Sequence, residues 1–288
     1  MSLAEHLDEL RRRLVRGILG MALAFAIAYG FQDRTFQIVL RPLHQAVGWL
    51  NADMFAAYEA RIAEDPALDP ELYFLEGKDG LRRLREPIDT RPQATGPGEA
   101  FLGNLKAAFY LSLFVGGPVL LWQLWLFVAA GLYPAERRAV LAYIPTSMGL
   151  FAAGILFGYF VMVPYAIYFL NTSVDLTQVR PDFRYAQYFG FLSTLCVGLG
   201  AVFQLPVLMT ALARVGIVTA ATFAKWRGHF IVAAFVIGAI LTPPDPFTQS
   251  MMAVPMVVLY ELGIHCGRWV ERRAARQSAA LARGAPRA

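Results

Sequence analysis

The chain has 288 residues, 57% of them hydrophobic and 16% charged. Soluble domains carry about 25% charged residues, so the composition excludes an ordinary soluble domain and puts most of the chain in lipid. The net charge of +5 is less informative than where the charges fall.

The chain begins with an amphipathic helix, Glu5-His6-Leu7-Asp8-Glu9-Leu10-Arg11-Arg12-Arg13-Leu14, in which Leu3, Leu7, Leu10 and Leu14 recur at helical spacing. Its acids precede its arginines, which suits the helix dipole. Glu9 has two readings. It pairs with Arg13 at i,i+4 on a solvated face, worth about 0.2–0.5 kcal/mol, or it faces a ligand cation. An apolar run then extends over Leu14–Phe31. Small-residue spellings such as Ala22-Leu23-Ala24 lie inside that run, not after it, and five more spans follow. A retained helix is therefore expected, not a cleaved signal.

Residues 34–98 carry eight basic residues and many acids, among them Glu59, Glu64, Asp65, Asp69, Glu71, Glu76 and Asp79. Residues 52–64 are expected as a short amphipathic helix, and the Pro- and Gly-rich 86–98 as extended chain. Further spans are expected at Ala107–Ala130, Ala139–Leu170, Tyr188–Ala213, His229–Thr242 and Phe247–Cys266. Crossing the hydrocarbon core takes about 20 apolar residues. The fifth span is short, reaching only about 21 Å at 1.5 Å per residue. Pro243-Pro244-Asp245-Pro246 makes a tight turn, so the last two spans form an antiparallel hairpin.

Six spans put both termini on one side. Arg11, Arg12, Arg13 and Arg16, then Arg137 and Arg138, then Arg214, Lys225 and Arg227, and the arginine-rich tail from Arg268 all share that side. The short opposite loops hold only Arg180 and Arg184. The positive-inside rule makes the basic side cytoplasmic, and the long 34–98 loop is exempt because long loops cross largely regardless of charge.

Few side chains stand out chemically. Glu136 follows Gly131-Leu132-Tyr133-Pro134 at the start of a helix. It either stabilises that helix end by about 0.3–1 kcal/mol or forms, with Glu9, a pair of carboxylates that each clasp one guanidinium. Such bonds are charge-assisted and bidentate, which a lysine cannot copy. Gln204, midway along the fourth span, makes an internal hydrogen bond or docks another helix, since an amide facing lipid would be unpaired. Pro164 and Pro206 are expected to kink their helices. Glu261 is expected to snorkel or to pair with Arg268, and Asp245 to cap the sixth helix. Lys106 snorkels outwards. Cys196 and Cys266 fall too far apart for a disulfide and read as packing residues. The histidines lack metal-ligand spacing, and no nucleophile–base pair is visible. A small-solute transporter would show repeats and broken helices around a midplane site, and no repeat is visible.

The segments together resemble the TatC family, the signal-peptide receptor subunit of the twin-arginine protein translocase. The matching residues are His6-Leu7-x-Glu9-Leu10-Arg11-x-Arg13, Glu99-Ala100-Phe101 with Lys106, Pro118 with Gln123, and Phe127 through Gly131-Leu132-Tyr133-x-x-Glu136-Arg137. They continue with Phe157-Gly158-Tyr159-Phe160 and Pro164, Lys225-x-Arg227, Thr242-Pro243-Pro244-Asp245, and Leu259-Tyr260-Glu261-Leu262-Gly263. The likeness spares only about residues 45–95 and the last 20. It implies an all-α membrane protein of six transmembrane helices in a glove-shaped concave bundle; the charge distribution puts both termini in the cytoplasm, and the 34–98 segment is expected to add an extended periplasmic cap. Its parts would be a cytoplasmic N-terminus (1–13), a membrane domain (14–266) with the enlarged 34–98 loop, and a disordered basic tail (267–288).

The resemblance implies further that twin-arginine signal peptides of folded cargo bind at Glu9 and Glu136, with Arg11, Phe127 and Leu132 beside them. Gln204 would dock a partner helix, and Pro118, Tyr159, Asp245 and Glu261 are family-motif positions. The implied partners are the single-span proteins TatA and TatB, in a multimeric TatBC-type complex in the inner membrane. Transport would draw on the proton-motive force, with no nucleotide, metal, other cofactor or nucleic acid. Three departures matter. Gln204 stands where many relatives have Glu and cannot titrate. Ala130 replaces a common Pro, so the helix before Glu136 is expected to run further. The 34–98 loop is unusually long.

Overall fold

The computed structural model describes residues 3–64, 88–94, 96, 98–132, 137, 140–173, 181–243 and 245–284. These residues are almost all helical, and their only extended pairing is an isolated bridge between Gln93 and Arg184. The helices are α1 (Leu3–Gly30), α2 (Gln32–Glu64), α3 (Glu99–Ala130), α4 (Ile144–Phe157), α5 (Val163–Thr172), α6 (Tyr185–Val202), α7 (Leu205–Val215), α8 (Ala220–Lys225), α9 (Arg227–Leu241) and α10 (Pro246–Gly284). Five stretches are long and apolar enough to cross a membrane: Ala4–Gly30, Phe101–Ala130, Ile144–Thr172, Tyr185–Val215 and Pro246–Arg276. The sixth expected span is the shorter apolar helix α9, of 15 residues.

Two of these spans are interrupted at the anticipated prolines. Between α4 and α5 lies a π-helical turn, Gly158–Met162, in which Val163 N–H reaches back to Gly158 O. Pro164 follows at once. It has no N–H to donate to Phe160, so the wider turn absorbs the mismatch. Between α6 and α7 the helix opens at Phe203–Gln204, with Pro206 in the first turn of α7.

Contacts divide the chain into two compact units. One comprises Ala26–Leu111 and Phe157–Leu195. It contains the 34–98 segment, where the structure corrects the expectation of a short helix over 52–64. Helix α2 starts at Gln32 and runs for 33 residues. Its cause is an apolar stripe at helical spacing, in which Val39, Leu43, Ala46, Val47, Leu50 and Met54 are all buried. Residues 65–87 lie outside the described residues. Beyond them, Asn51 pins the returning chain: its Nδ2 donates to Ile88 O at 3.2 Å, and its Oδ1 accepts Ile88 N–H at 2.8 Å.

Pro42 sits inside α2 and leaves the carbonyl of Ile38 without its helical donor. Tyr159, in the π turn, donates its hydroxyl to that carbonyl at 2.5 Å. Tyr188 of α6 donates to the neighbouring Val39 O at 2.6 Å. The family-motif tyrosine therefore repairs a proline defect. Tyr159→Phe is expected to cost about 1–3 kcal/mol, because the Ile38 carbonyl, which Pro42 already deprives of its helical donor, loses the Tyr159 hydroxyl. In a Pro42→Ala background, where residue 42 can donate again, the cost should fall below about 1 kcal/mol. Thermal unfolding of the four proteins tests this cycle.

The other unit comprises Met1–Phe25, Ser112–Leu156 and Cys196–Ala288. One core gathers Trp125, Ala129, Val140, Ile144, Val207 and Ala211. A second forms around Met209, Tyr260 and Ile264, where α7 meets α10. Asp245 caps α10: its Oδ1 accepts Thr248 N–H at 2.7 Å and its other oxygen accepts the Thr248 hydroxyl. In the hairpin of α9 and α10, Gln249 Nε2 donates to Phe235 O at 2.8 Å. Cys196 is buried and Cys266 exposed, both as free thiols. The tail, expected to lack order, continues α10 as far as Gly284. Its alanines and arginines are strong helix formers, and the helix entering it is already nucleated.

Candidate functional site

The site is built where the first turns of α1 lie on the last turn of α3. His6 stacks on Phe127 with ring centroids 4.5 Å apart and an interplanar angle of 27°. A Cβ on Gly131 would come within 3.1 Å of His6 Cε1, so a larger residue there would push the imidazole slightly aside. One helical turn on, Glu9 is half-buried. Its Oε1 accepts Arg13 Nε at 2.6 Å, and Arg12 Nη2 stands 3.4 Å from its Oε2. The carboxylate thus holds two guanidiniums of its own chain. Arg11 is exposed and lines a basic hollow with Asp8, Arg12, Val15 and Arg16. Leu132 packs against the core around Trp125.

An apolar groove of about 300 Å³ starts beside this carboxylate. Leu10, Arg13 and Leu14 form one wall, and Leu120, Gln123 and Phe127 belong to the other. The Gln123 Oε1 is buried there without a hydrogen-bond partner among the described residues.

Helix α3 stops at Ala130. The chain tightens there, with Gly131 N–H on Val128 O at 3.2 Å and Leu132 N–H on Ala129 O at 3.5 Å. The expected extension past Ala130 does not occur: Gly131 already favours helix termination. Glu136, the second expected carboxylate, lies outside the described residues. Pro118 lies inside α3, half-buried.

Gln204 is held internally. Trp125 Nε1 donates to Ser147 Oγ at 2.7 Å, and the Ser147 hydroxyl donates to Gln204 Oε1. Gln204 Nε2 donates back to Ser147 O at 3.1 Å and lies 3.5 Å from Gly200 O. The amide thus bridges α4 to the break between α6 and α7. Gln204→Leu would leave the buried Ser147 hydroxyl without its acceptor. It is expected to lower stability by about 1–3 kcal/mol, read as the unfolding midpoint in detergent.

Glu261 pairs with Arg227 at the start of α9, not with Arg268 as expected. Arg227 Nη2 donates to Glu261 Oε2 at 2.9 Å, and its Nε lies 2.5 Å from Oε1 at an angle too poor for a hydrogen bond. Arg268 is on Glu261's own helix, seven residues on, whereas the α9–α10 hairpin brings Arg227 alongside. Trp125, Ser147 and His6 carry roles that residue-by-residue reading left unassigned. His6 was visible only as a family-motif position.

A family model described as "Sec-independent protein translocase protein (TatC)" matches residues 5–255. The chain belongs to the TatC family. Among its relatives, TatC of Desulforapulum autotrophicum is 35% identical over 261 residues, spanning 90% of this chain and 82% of that protein. TatCy of Bacillus subtilis is 32% identical over 280 residues, covering 97% and 94%. TatC of Escherichia coli K12 is 32% identical over 268 residues, covering 93% and 88%. A crystal structure described as "Twin Arginine Translocase Receptor- TatC" superposes with a TM-score of 0.65 at 29% identity, covering 92% of this chain and 99% of that one. This TatC-family chain is a membrane-embedded component of a Sec-independent protein translocase, a transport subunit and not a catalyst.

Proposed function

We propose that this TatC-family chain is the receptor that binds twin-arginine signal peptides of folded proteins at the cytoplasmic face of the bacterial inner membrane. The observation that carries the reading is the Glu9 carboxylate, which already collects guanidinium groups from Arg12 and Arg13. An incoming arginine pair would take their place, with Glu136 as the second acid. In this reading Arg11, Phe127 and Leu132 would also contribute to binding. The groove beside Arg13 then suits an apolar stretch of the same peptide. The similar TatC of known crystal structure is described as a twin-arginine translocase receptor, which supports the reading.

Both termini are cytoplasmic in this proposal, on the basic side of the spans, with residues 1–13 and 267–288 flanking the membrane domain of 14–266. TatA- and TatB-like single-span helices would dock along the last three spans, in a multimeric complex driven by the proton-motive force. Two features support that docking. Only Ala234 and Gly238 of α9 are buried, so the helix offers a nearly whole apolar face. An apolar hollow of about 270 Å³ beside Gln204 is lined by Leu208 and Leu212 as well.

The test is photocrosslinking from position 9 or 136 to a twin-arginine precursor. A crosslink that is lost when the precursor carries Lys-Lys supports the receptor reading. No crosslink from either position, with the precursor present in excess, overturns it.

A further inference from the structure

Helix α10 is longer than any membrane requires. Its apolar stretch Phe247–Cys266 spans about 30 Å at 1.5 Å per residue, which fills the hydrocarbon core. The helix then continues to Gly284, about five more turns. Residues 267–288 hold six arginines and one acid, Glu271.

The arginines of the first turns are sorted onto one side. At 100° per residue, Arg268, Trp269, Arg272, Arg273 and Arg276 fall within an arc of about 140°. Gly267 and Val270, outside that arc, are buried. Glu271 also lies outside it and is engaged elsewhere: its Oε1 accepts Ala220 N–H at 2.7 Å, closing the N-terminus of α8. The segment's sole acid is therefore turned away from the basic stripe. Arg272, Arg273 and Arg276 are exposed, and Arg268 is half-buried. None of the four has an ion-pair partner among the described residues. Arg273 lies over the Trp269 ring with Cζ 3.8 Å from its centroid, and that ring is itself 55% exposed.

The stripe begins about 3 Å beyond the end of the apolar stretch and reaches about 15 Å. Its first half falls within the headgroup layer, roughly 5–8 Å deep on each side. An exposed tryptophan at that depth is a membrane-interface side chain. Unmatched guanidiniums in that layer meet phosphodiesters, which they bind by charge-assisted hydrogen bonds.

We propose that Arg268, Arg272, Arg273 and Arg276, with Trp269, form a binding site for anionic phospholipid headgroups where α10 leaves the bilayer. The site depends on the membrane embedding of α10 and not on the receptor reading above. An acidic protein segment fits less well, because it would have to enter the headgroup layer to reach Arg268 and Trp269.

The test uses the purified full-length chain in neutral detergent. It is titrated with fluorescent phosphatidylglycerol and with phosphatidylcholine bearing the same label. Phosphatidylglycerol is expected to bind about tenfold more tightly, from roughly a fivefold gain per basic residue over several arginines, discounted for screening. The triple variant Arg272→Gln, Arg273→Gln, Arg276→Gln should bring the two lipids within about twofold. The same three positions changed to lysine should keep most of the preference, because the site reads charge. No preference in the wild-type chain, or an unchanged preference in the glutamine variant, overturns the proposal. So does displacement of the lipid by millimolar glycerol phosphate, which would make this a site for a soluble anion. An acidic peptide that binds the wild-type chain as tightly as the lipid, and loses that binding in the glutamine variant, would reassign the stripe to a protein partner.

Discussion

Glu9→Gln is expected to weaken binding of a twin-arginine peptide by about a hundredfold, while the protein keeps its unfolding midpoint. Removing one member of a hydrogen-bonded, partly desolvated charge pair costs about 2–5 kcal/mol, and about 2.7 kcal/mol is a hundredfold. Folding should be insensitive for two reasons. Glutamine and glutamate have similar helix propensities. The i,i+4 pair with Arg13 contributes only about 0.2–0.5 kcal/mol. The wild-type affinity itself should be moderate and salt-sensitive, because an incoming arginine exchanges with Arg12 and Arg13 and does not fill an empty site. Fluorescence anisotropy with a labelled peptide measures all of this. A Glu9→Gln protein that binds as well as wild type removes Glu9 from the site.

The second large effect is on stability. Gly154→Ala is expected to cost about 3 kcal/mol, and Gly154→Leu to prevent stable accumulation in the membrane. A Cβ at Gly154 would stand 2.7 Å from Leu199 O, 2.9 Å from Gly200 Cα and 2.9 Å from Phe203 Cγ. Two of these atoms are backbone, so relief requires α4 and α6 to separate. Gly200 meets the same limit from the other side, where a Cβ would lie 2.9 Å from Phe151 Cε2. Membrane helices pack through such small residues because lipid is as apolar as their side chains, leaving close contact as the driving force. Gly149→Ala is the control. Nothing lies within 4 Å of a Cβ there, so it should be neutral or slightly stabilising through helix propensity. Equal unfolding midpoints for the two alanine variants would show that the α4–α6 approach is not tight.

Much of the fold could be read in the sequence because the bilayer imposes one length and demands internal hydrogen bonding. All six expected spans recur as helices, with α9 as short as anticipated. Asp245 was legible as a cap because capping joins residues three apart. Other features were present in the sequence but outweighed. The stripe at Val39, Leu43, Val47 and Leu50 was masked by Pro42 and by the charged surroundings of the 34–98 segment. Pro42 is tolerated only because Tyr159, more than a hundred residues later, supplies the missing donor.

The candidate site divides in the same way. Glu9 was identifiable as a carboxylate at a membrane boundary, and its pairing with Arg13 follows from helical spacing. The stacking of His6, one turn earlier, on Phe127 depends on α1 meeting α3. Gln204 could be read as an internal bond or a docking point, and local sequence carries no information on Ser147 and Trp125 as its partners.

The sequence by itself determined the membrane class, the spans, the short fifth helix and the family motifs, because these rest on hydropathy, spacing and local capping. Only the tertiary structure decided which partner each polar side chain takes: Arg227 for Glu261, Ser147 for Gln204, Ile38 O for Tyr159 and Ala220 N–H for Glu271. The physical reason is common to all four. A buried or interfacial polar group must be paired, and the partner that meets the need is whichever distant segment packing brings within hydrogen-bonding reach.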